Sequence, residues 1–321
     1  LLSGATTPAK TWQFNVPSSV TSFVFTVYVT TQIPGTQASP LLLYAVNAGA
    51  PSITVYGAGD SGTVGARDTI AGSNTGLAAP SGIAVDGAGN IYVANPGYPT
   101  FGVTVYATGV YGNMAPTATI TFPGGAPYGV ALDGGGNLYL TINPSSATPA
   151  IVVFALTGGA TLTATITGGA TGLNTPGGIA VGNGNIYVTN FGGPTITVYA
   201  TAGLSGTVNL APTATITSSS LIGPTGITLD GAGNIYVANT NGNSITVFAA
   251  GANGASTPTA TIFGTTTGLA QPYGIALDGA GNIYVGNQGT NSINVYAAGT
   301  SGNVAPTATI RGLNFPSFVA F

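Results

Sequence analysis

The sequence predicts an all-β chain that closes into a ring of six small sheets. One segment, PSGIAVDGAGNIYVAN at 80–95, returns four more times with few changes. The copies are PYGVALDGGGNLYLTI (127–142), PGGIAVGNGNIYVTN (176–190), PTGITLDGAGNIYVAN (224–239) and PYGIALDGAGNIYVGN (272–287). Their starting prolines, at 80, 127, 176, 224 and 272, are 47, 49, 48 and 48 residues apart. A period of about 40–50 residues that is rich in β-formers is the size of one four-stranded propeller blade.

Turn residues divide each repeat into four short strands. In 80–120 the predicted strands are 82–86, 91–95, 103–106 and 117–120, and β-branched and aromatic residues dominate them. DGAGN at 86–90 predicts a tight turn, because its residues tolerate a positive φ or hydrogen-bond their own backbone. The third strand recurs as IVVFA (151–155), ITVYA (196–200), ITVFA (245–249) and INVYA (293–297), and the fourth as TATI at 163–166, 213–216, 259–262 and 307–310. No helix is predicted, since Gly and Pro interrupt nearly every window of twelve residues.

The two chain ends together supply a sixth repeat. PSFVAF (316–321) matches an opening strand, and LYAVN (43–47), ITVY (53–56) and ARDTI (66–70) match the three strands that follow. We therefore predict that 316–321 pairs with the N-terminal strands of 41–70, lying beside 41–47. This closure removes the open edges of the first and last blades, which would otherwise promote aggregation. The predicted fold is a six-bladed β-propeller of four-stranded blades.

The repeated pattern P-x-G-I-A-V-D-x-x-G-N-I-Y-V-A-N, followed by I-x-V-Y, resembles the NHL-repeat family of β-propellers. The resemblance covers about 41–321 and implies the propeller fold. Families of this appearance include RNA-binding modules, protein-interaction modules, lyases and metal-dependent hydrolases. The resemblance therefore leaves the function open, because one fold serves many activities.

The scarcity of charge argues against a nucleic-acid partner. The basic residues are Lys10, Arg67 and Arg311, and charged residues make up 3% of the chain, against about 25% in ordinary soluble domains. Affinity for a phosphate backbone requires several Lys or Arg on one face. We predict no nucleic-acid binding, so the RNA-binding use within the resembling families is not expected here.

The residue types also argue against catalysis. The chain has no His, no Glu and no Cys, and its six acidic residues are all Asp. The lyases of similar shape imply His ligands for zinc and the lactonase-like hydrolases imply a Glu ligand, and this sequence contains neither. Asp alone favours a hard cation such as calcium. We predict a non-enzyme without catalytic residues, cofactor or metal site, and a calcium-dependent enzyme is the less favoured alternative.

Three sets of repeated side chains each allow a structural and a functional interpretation. An Asp opens the turn in four repeats and is predicted to accept hydrogen bonds from that turn rather than to form a cation-binding ring. An Asn ends most second strands and is predicted to cap a turn rather than to bind sugar. Aromatic residues on the second and third strands are predicted to pack between blades rather than to stack on a glycan. The Asp set is Asp86, Asp133, Asp230 and Asp278, and the Asn set is Asn47, Asn95, Asn190, Asn239 and Asn287. The second-strand aromatic set is Tyr44, Tyr92, Tyr139, Tyr187, Tyr236 and Tyr284, and the third-strand set is Tyr56, Tyr106, Phe154, Tyr199, Phe248 and Tyr296.

Residues 1–38 precede the repeats and form a predicted β-strand arm or the remnant of a β-sandwich, while 39–321 form the propeller. TWQFNV (11–16) and SFVFTVYVTT (22–31) alternate apolar and polar residues, which is typical of half-buried strands. Two isolated strands are marginal in water, so their apolar face requires a partner. That face carries the candidate assembly residues Trp12, Phe14, Val16, Phe23, Phe25, Val27 and Val29.

These observations predict a non-catalytic structural protein, secreted or displayed on a microbial cell surface, that self-assembles through its N-terminal strands, with filaments as one outcome. Low charge removes repulsion between copies, which favours a homo-oligomer or polymer. A glycan- or protein-binding propeller module is the alternative, with loops at 96–101 and 143–150 as candidate contacts. No window of about 18 apolar residues predicts a membrane span.

Overall fold

The fold is that of a computed structural model, which describes residues 41–97, 101–122, 124–143 and 148–321. These residues belong to one compact unit, Pro40–Phe321. They form six antiparallel sheets that follow one another around a ring, so the predicted six-bladed β-propeller is confirmed. The predicted N-terminal arm, with its seven candidate assembly residues, lies outside the described residues, and the boundary predicted at 38/39 stays a prediction.

The strands are numbered in chain order and run from the ring centre outward in each blade. Blade 1 contains β26 (Pro316–Ala320), β1 (Leu42–Asn47), β2 (Ser52–Gly57) and β3 (Asp68–Ala71), and blade 2 contains β4 (Ile83–Val85), β5 (Ile91–Asn95), β6 (Gly102–Tyr106) and β7 (Ala118–Thr121). Blade 3 contains β8 (Pro127–Leu132), β9 (Asn137–Ile142), β10 (Ala150–Ala155) and β11 (Thr161–Thr167), and blade 4 contains β12 (Pro176–Gly182), β13 (Asn185–Asn190), β14 (Thr195–Ala200) and β16 (Ala214–Thr217). Blade 5 contains β17 (Pro224–Leu229), β18 (Ile235–Asn239), β19 (Ser244–Phe248) and β21 (Ala260–Ile262), and blade 6 contains β22 (Pro272–Leu277), β23 (Ile283–Asn287), β24 (Ser292–Tyr296) and β25 (Ala308–Arg311). Two short strands, β15 (Gly206–Val208) and β20 (Gly254–Ala255), and one 3₁₀ turn (Gln288–Thr290) complete the described elements.

The ring closes where the last strand joins the first. β26 pairs antiparallel with β1, with Tyr44 opposite Ala320 and Ala45 opposite Val319. On the next blade, the Ser317 hydroxyl donates a hydrogen bond to the Ser81 carbonyl at 3.0 Å. The predicted closure by residues 316–321 is therefore confirmed, and β26 occupies the central position that a first strand occupies in every other blade.

The hydrophobic core consists of six clusters, and each cluster joins two neighbouring blades. In the cluster between blades 1 and 2, Ile53 and Ile70 of one blade pack with Val93 and Tyr106 of the next. Every blade therefore buries both faces of its sheet against neighbouring blades. For this reason the alternation of apolar and polar residues is weak in the central strands, whose residues are buried on both faces. The predicted packing role of the repeated aromatic residues is what the structure shows.

Close contact between first strands explains a repeated glycine. At Gly274, an added Cβ would lie 2.4 Å from the Phe318 Cα and 2.5 Å from the Ser317 oxygen. The neighbouring backbone cannot move away without opening the ring. The glycine in P-x-G therefore allows adjacent first strands to approach at the centre.

The outer edge of most blades is covered by the next blade. The connection between the third and fourth strands of a blade contains a short segment, here called a latch, that pairs in parallel with the fourth strand of the preceding blade. Five latches exist in the described residues: β15 on β11, β20 on β16, and single bridges from Gly62 to Ile310, Gly112 to Ile70 and Gly302 to Ile262. The strand pattern of the repeats does not predict the latches, which make two of the sheets five-stranded.

Candidate functional site: the central channel and its two faces

The first strands of all six blades enclose a central channel of about 290 Å³. Its wall is built from Ile, Val, Leu, Ala and Phe side chains, and Thr228 contributes the one polar side chain among the lining residues. The wall is apolar because positions 4 to 6 of the six repeats read IAV, VAL, IAV, ITL, IAL and VAF. Such a wall holds no general acid, base or nucleophile of useful strength.

Three aromatic rings close one end of this channel. Tyr128 of blade 3 and Tyr273 of blade 6 lie on opposite sides of the ring, and their ring centroids are 6.2 Å apart. Phe318 of blade 1 packs edge-on against both rings, at 6.1 Å and 5.8 Å. Burial raises the pKa of Tyr273 to about 12, so its phenol is neutral at physiological pH. Sequence reasoning missed this plug, although Phe318 stands where the other repeats have glycine.

A second cavity, of about 250 Å³, lies beyond the aromatic plug and is here called the mouth pocket. Its lining residues are Tyr128, Asn143, Thr175, Pro176, Gly177, Phe191, Thr225, Thr240 and Tyr273. Phe191 is 40% exposed, so part of its ring is accessible at this pocket. The pocket combines an exposed aromatic ring with hydroxyl and amide groups, and it contains no charge.

The repeated Asp residues lie in the turns between first and second strands. In blade 2, Asp86 Oδ1 accepts hydrogen bonds from the backbone N–H groups of Ala88 and Asn90 at 2.9 and 2.8 Å. Asp86 Oδ2 accepts one from the Asn90 side chain at 2.8 Å. Asp133, Asp230 and Asp278 make the same three contacts in their own turns. The predicted turn role of the Asp set is therefore seen in the structure.

In three of these turns, the hydrogen bonds favour the ionised form of the carboxylate. Burial alone would raise the pKa of Asp86, but hydrogen bonds from Asn90 and Ala88 outweigh it and lower the pKa below its ordinary value. The pKa values of Asp133 and Asp230 are lowered for the same reason. In the described residues, no group of three or more His, Cys, Asp or Glu could hold a metal ion.

The Asn residues that end the second strands hold a different segment from the one expected. Asn95 Oδ1 accepts a hydrogen bond from the backbone N–H of Ala78, and its Nδ2 donates to Thr104 Oγ1 at 2.7 Å. Ala78 belongs to the connection that enters the same blade. The Asn set therefore fastens interblade connections, which corrects the predicted role in capping the strand's own turn. Side chains that are 0–2% exposed are also inaccessible to a sugar.

Three tyrosines of the third strands form hydrogen bonds to the same interblade connections. Tyr106, Tyr199 and Tyr296 are completely buried, and their hydroxyls donate to the carbonyls of Thr75, Thr171 and Thr267 at 2.6–2.7 Å. Among the described residues, no buried side-chain nitrogen or oxygen lacks a hydrogen-bond partner. The buried polar side chains therefore form hydrogen bonds within the fold.

Of the basic residues, Arg67 forms an ion pair with Asp60 at 2.9 Å on the surface. The hydrogen bond from Arg67 lowers the pKa of Asp60. Arg311 lies on blade 6, and Lys10 lies outside the described residues. The two described cations do not make a basic face of the kind that nucleic acid requires. The described part of the chain includes no helix that is long and apolar enough to cross a bilayer.

Six four-stranded blades around an apolar channel define a six-bladed β-propeller. The model of the NHL repeat matches residues 221–248, which contain β17 to β19 of blade 5. The chain is thus an NHL-repeat-like six-bladed propeller, as the sequence pattern indicates. A comparison with curated protein sequences finds no match.

Solved structures share the fold at low sequence identity. A crystal structure of a nidogen/laminin complex matches with a TM-score of 0.63 and 18% identity, over 87% of this chain and 97% of that chain. A periplasmic gluconolactonase of Pseudomonas aeruginosa matches with a TM-score of 0.57 and 13% identity, over 86% and 98% of the two chains. A catalytically inactive virginiamycin B lyase of Staphylococcus aureus, crystallised with quinupristin, matches with a TM-score of 0.53 and 15% identity, over 81% and 82%. These neighbours establish the fold alone, since they include both enzymes and a protein complex.

Proposed function

We propose that the protein is a non-catalytic structural propeller that is exported or displayed on a microbial cell surface. The observation that carries this proposal is the channel, where side chains from all six blades converge and where Thr228 is the one polar lining side chain. The Asp carboxylates of the repeats are engaged by their turns. Without His, Cys or Glu in the sequence, a reaction would have to use groups that the fold already occupies.

The proposed structural role is self-assembly through residues 1–38. Two alternating apolar stretches in that segment, 11–16 and 22–31, require a partner surface, and a second copy of the chain supplies one. A net charge of −3 over 321 residues leaves little repulsion between copies. The extracellular location is supported by solved neighbours that include a periplasmic enzyme and a nidogen/laminin complex.

The test compares the full chain with a variant that lacks residues 1–38. Light scattering after size exclusion is expected to give oligomers for the full chain and monomers for the variant. A substitution of Phe25 by Asp in the full chain is the finer version, and Thr26→Asp on the opposite face is its control. Full-length monomers at high concentration would contradict assembly. Calcium bound near one ion per purified chain, found by metal analysis, would favour the enzymatic alternative.

A second candidate function, binding of a neutral glycan, is favoured by the mouth pocket. Phe191 offers a ring for stacking, while Asn143, Thr175 and Thr240 offer hydrogen-bonding groups. A glycan array is the direct test, and Phe191→Ala is expected to abolish any selective signal. Phe263→Ala is the matched control, because Phe263 is 56% exposed and does not line the mouth pocket. An array without selective binding would leave assembly as the supported function.

A further inference from the structure

In the part of the chain that the structure describes, one of the six outer blade edges lacks the latch that covers the others. The connection between β10 and β11 of blade 3 is a tight hairpin over 156–160, and it does not extend to blade 2. Among the described residues, β7 of blade 2 pairs with β6 and with no other strand. Exposure agrees, because Ala118 and Thr119 of β7 are exposed while their equivalents in the latched blades are partly or fully buried.

The blades whose outer edge is covered by a latch show which backbone atoms of β7 are available for pairing. On blade 6, the Gly62 N–H donates to the Thr309 carbonyl at 2.7 Å, and the Arg311 N–H donates to the Gly62 carbonyl at 3.0 Å. On blade 1, Gly112 makes the same pair of bonds with the Thr69 carbonyl and the Ala71 N–H, at 2.7 and 3.1 Å. Alignment of Ile120 with Ile310 and Ile70 places the Thr119 carbonyl and the Thr121 N–H of β7 in these roles.

The latches also show what kind of segment fits. Three of them carry nearly the same four residues, which are SGTV at 61–64, SGTV at 205–208 and SGNV at 301–304. Each is uncharged, and its glycine has a positive φ and lies at the paired position or begins the paired strand. Val64, Val208 and Val304 then pack against the interblade clusters. Three of the five occupied edges therefore indicate the kind of segment that fits the sixth edge.

We propose that the outer edge of β7 is a docking site for a Ser-Gly-(Thr/Asn)-Val segment of a partner protein, which adopts the latch conformation, with its glycine at a positive φ, and pairs in parallel with Ala118–Thr121. Recognition is through backbone hydrogen bonds, as in other cases of strand addition. The partner is a different protein, because the latches of a second copy are already paired within their own ring. β7 carries no charged side chain or proline that would block such pairing. The site does not depend on assembly through residues 1–38.

The experiment uses the full chain and a fluorescent peptide, TSGNVAP, copied from residues 300–306. Fluorescence anisotropy is expected to show saturable binding, and a scrambled peptide is expected to bind at least about tenfold more weakly. Hydrogen exchange at the Thr121 amide is expected to slow in the complex, because that N–H becomes a donor to the peptide. These two measurements separate edge pairing from nonspecific adsorption.

Two variants test the location of the site. Thr121→Pro removes the outward N–H and is expected to weaken peptide binding about five- to tenfold, whereas Thr119→Val changes a hydroxyl only and is expected to leave binding unchanged. If Thr121→Pro does not fold, replacing 156–160 by the blade 4 connection 201–212 covers the edge and should abolish binding. Absence of saturable binding to the full chain, including an edge already filled by residues 1–38, would overturn the proposal. Binding that survives both variants would also overturn it.

Discussion

The junction between blades 6 and 1 and the junction between blades 2 and 3 share their inner architecture but differ at the rim. Both bury a hydrophobic cluster between two sheets. At the first junction Gly62 reaches across and pairs with Ile310. At the second junction, the short hairpin of blade 3 does not reach blade 2, and no described residue covers β7. The ring is therefore closed at its centre by β26, while the latches add contacts between blades at the outer edge.

Removal of residues 316–321 is the strongest way to test central closure. The truncation exposes β1 and removes the buried side chains of Phe318 and Val319, so we expect a loss of more than about 5 kcal/mol of unfolding free energy. Chemical denaturation followed by circular dichroism should show no cooperative native baseline. A truncated chain with unchanged stability would mean that β26 does not close the ring.

Exchanging a connection that carries a latch for one that lacks it tests the contribution of the latch, and the expected loss of stability is smaller. Replacing the blade 1 connection 58–66 by the short hairpin 156–160 removes two backbone hydrogen bonds and the packing of Val64. We expect a loss of about 1–3 kcal/mol in denaturant unfolding, with cooperativity retained. The matched control exchanges 58–66 for another latch, 298–306, and should leave stability within about 0.5 kcal/mol. An effect as large as that of the truncation would show that the rim also closes the ring.

The division between centre and rim also explains what the sequence could predict. The opening and third strands repeat nearly unchanged, so β5, β6 and the pairing of 316–321 with 41–47 could be read from the sequence. The latches were not predicted, because a parallel bridge of one to three residues is too short to show the alternation of apolar and polar residues that identifies a strand. The spacing in the sequence does indicate where a latch is missing. Phe154 and Ile166 of blade 3 are 12 residues apart, whereas Tyr106 and Ile120 of blade 2 are 14 apart, so the connection in blade 3 is shorter.

The candidate sites divide in the same way. The Asp turns follow from local chemistry, because Asp86 and Asn90 lie in one five-residue loop. The aromatic plug joins Tyr128, Tyr273 and Phe318 from three different blades, and contacts between residues so distant in the chain depend on ring geometry. The role of Asn95 was predicted wrongly for a related reason, since its partner Ala78 lies 17 residues away in the chain.

The smallest expected effect concerns the Asp turns, which link the inner and second strands of four blades. The pKa of Asp86 is lowered in the fold, so the carboxylate stabilises the native state above the unfolded pKa of about 4. This contribution is lost as pH falls through the folded pKa, because the unfolded chain then binds the proton more readily. We expect Asp86→Asn to cost about 1–2 kcal/mol at pH 7 and to reduce the dependence of stability on pH below about 4.

Asp68→Asn is the control for this substitution, because Asp68 begins the outer strand β3 and does not lie in a turn between first and second strands. Urea denaturation at several pH values between 2.5 and 9, roughly spanning the Asp range, measures both variants. If Asp86→Asn and Asp68→Asn show the same acid dependence, the turn carboxylates do not stabilise the blades. A steeper loss for the native chain than for Asp86→Asn would locate acid sensitivity at the centre of the ring, because these turns end the strands that line the channel.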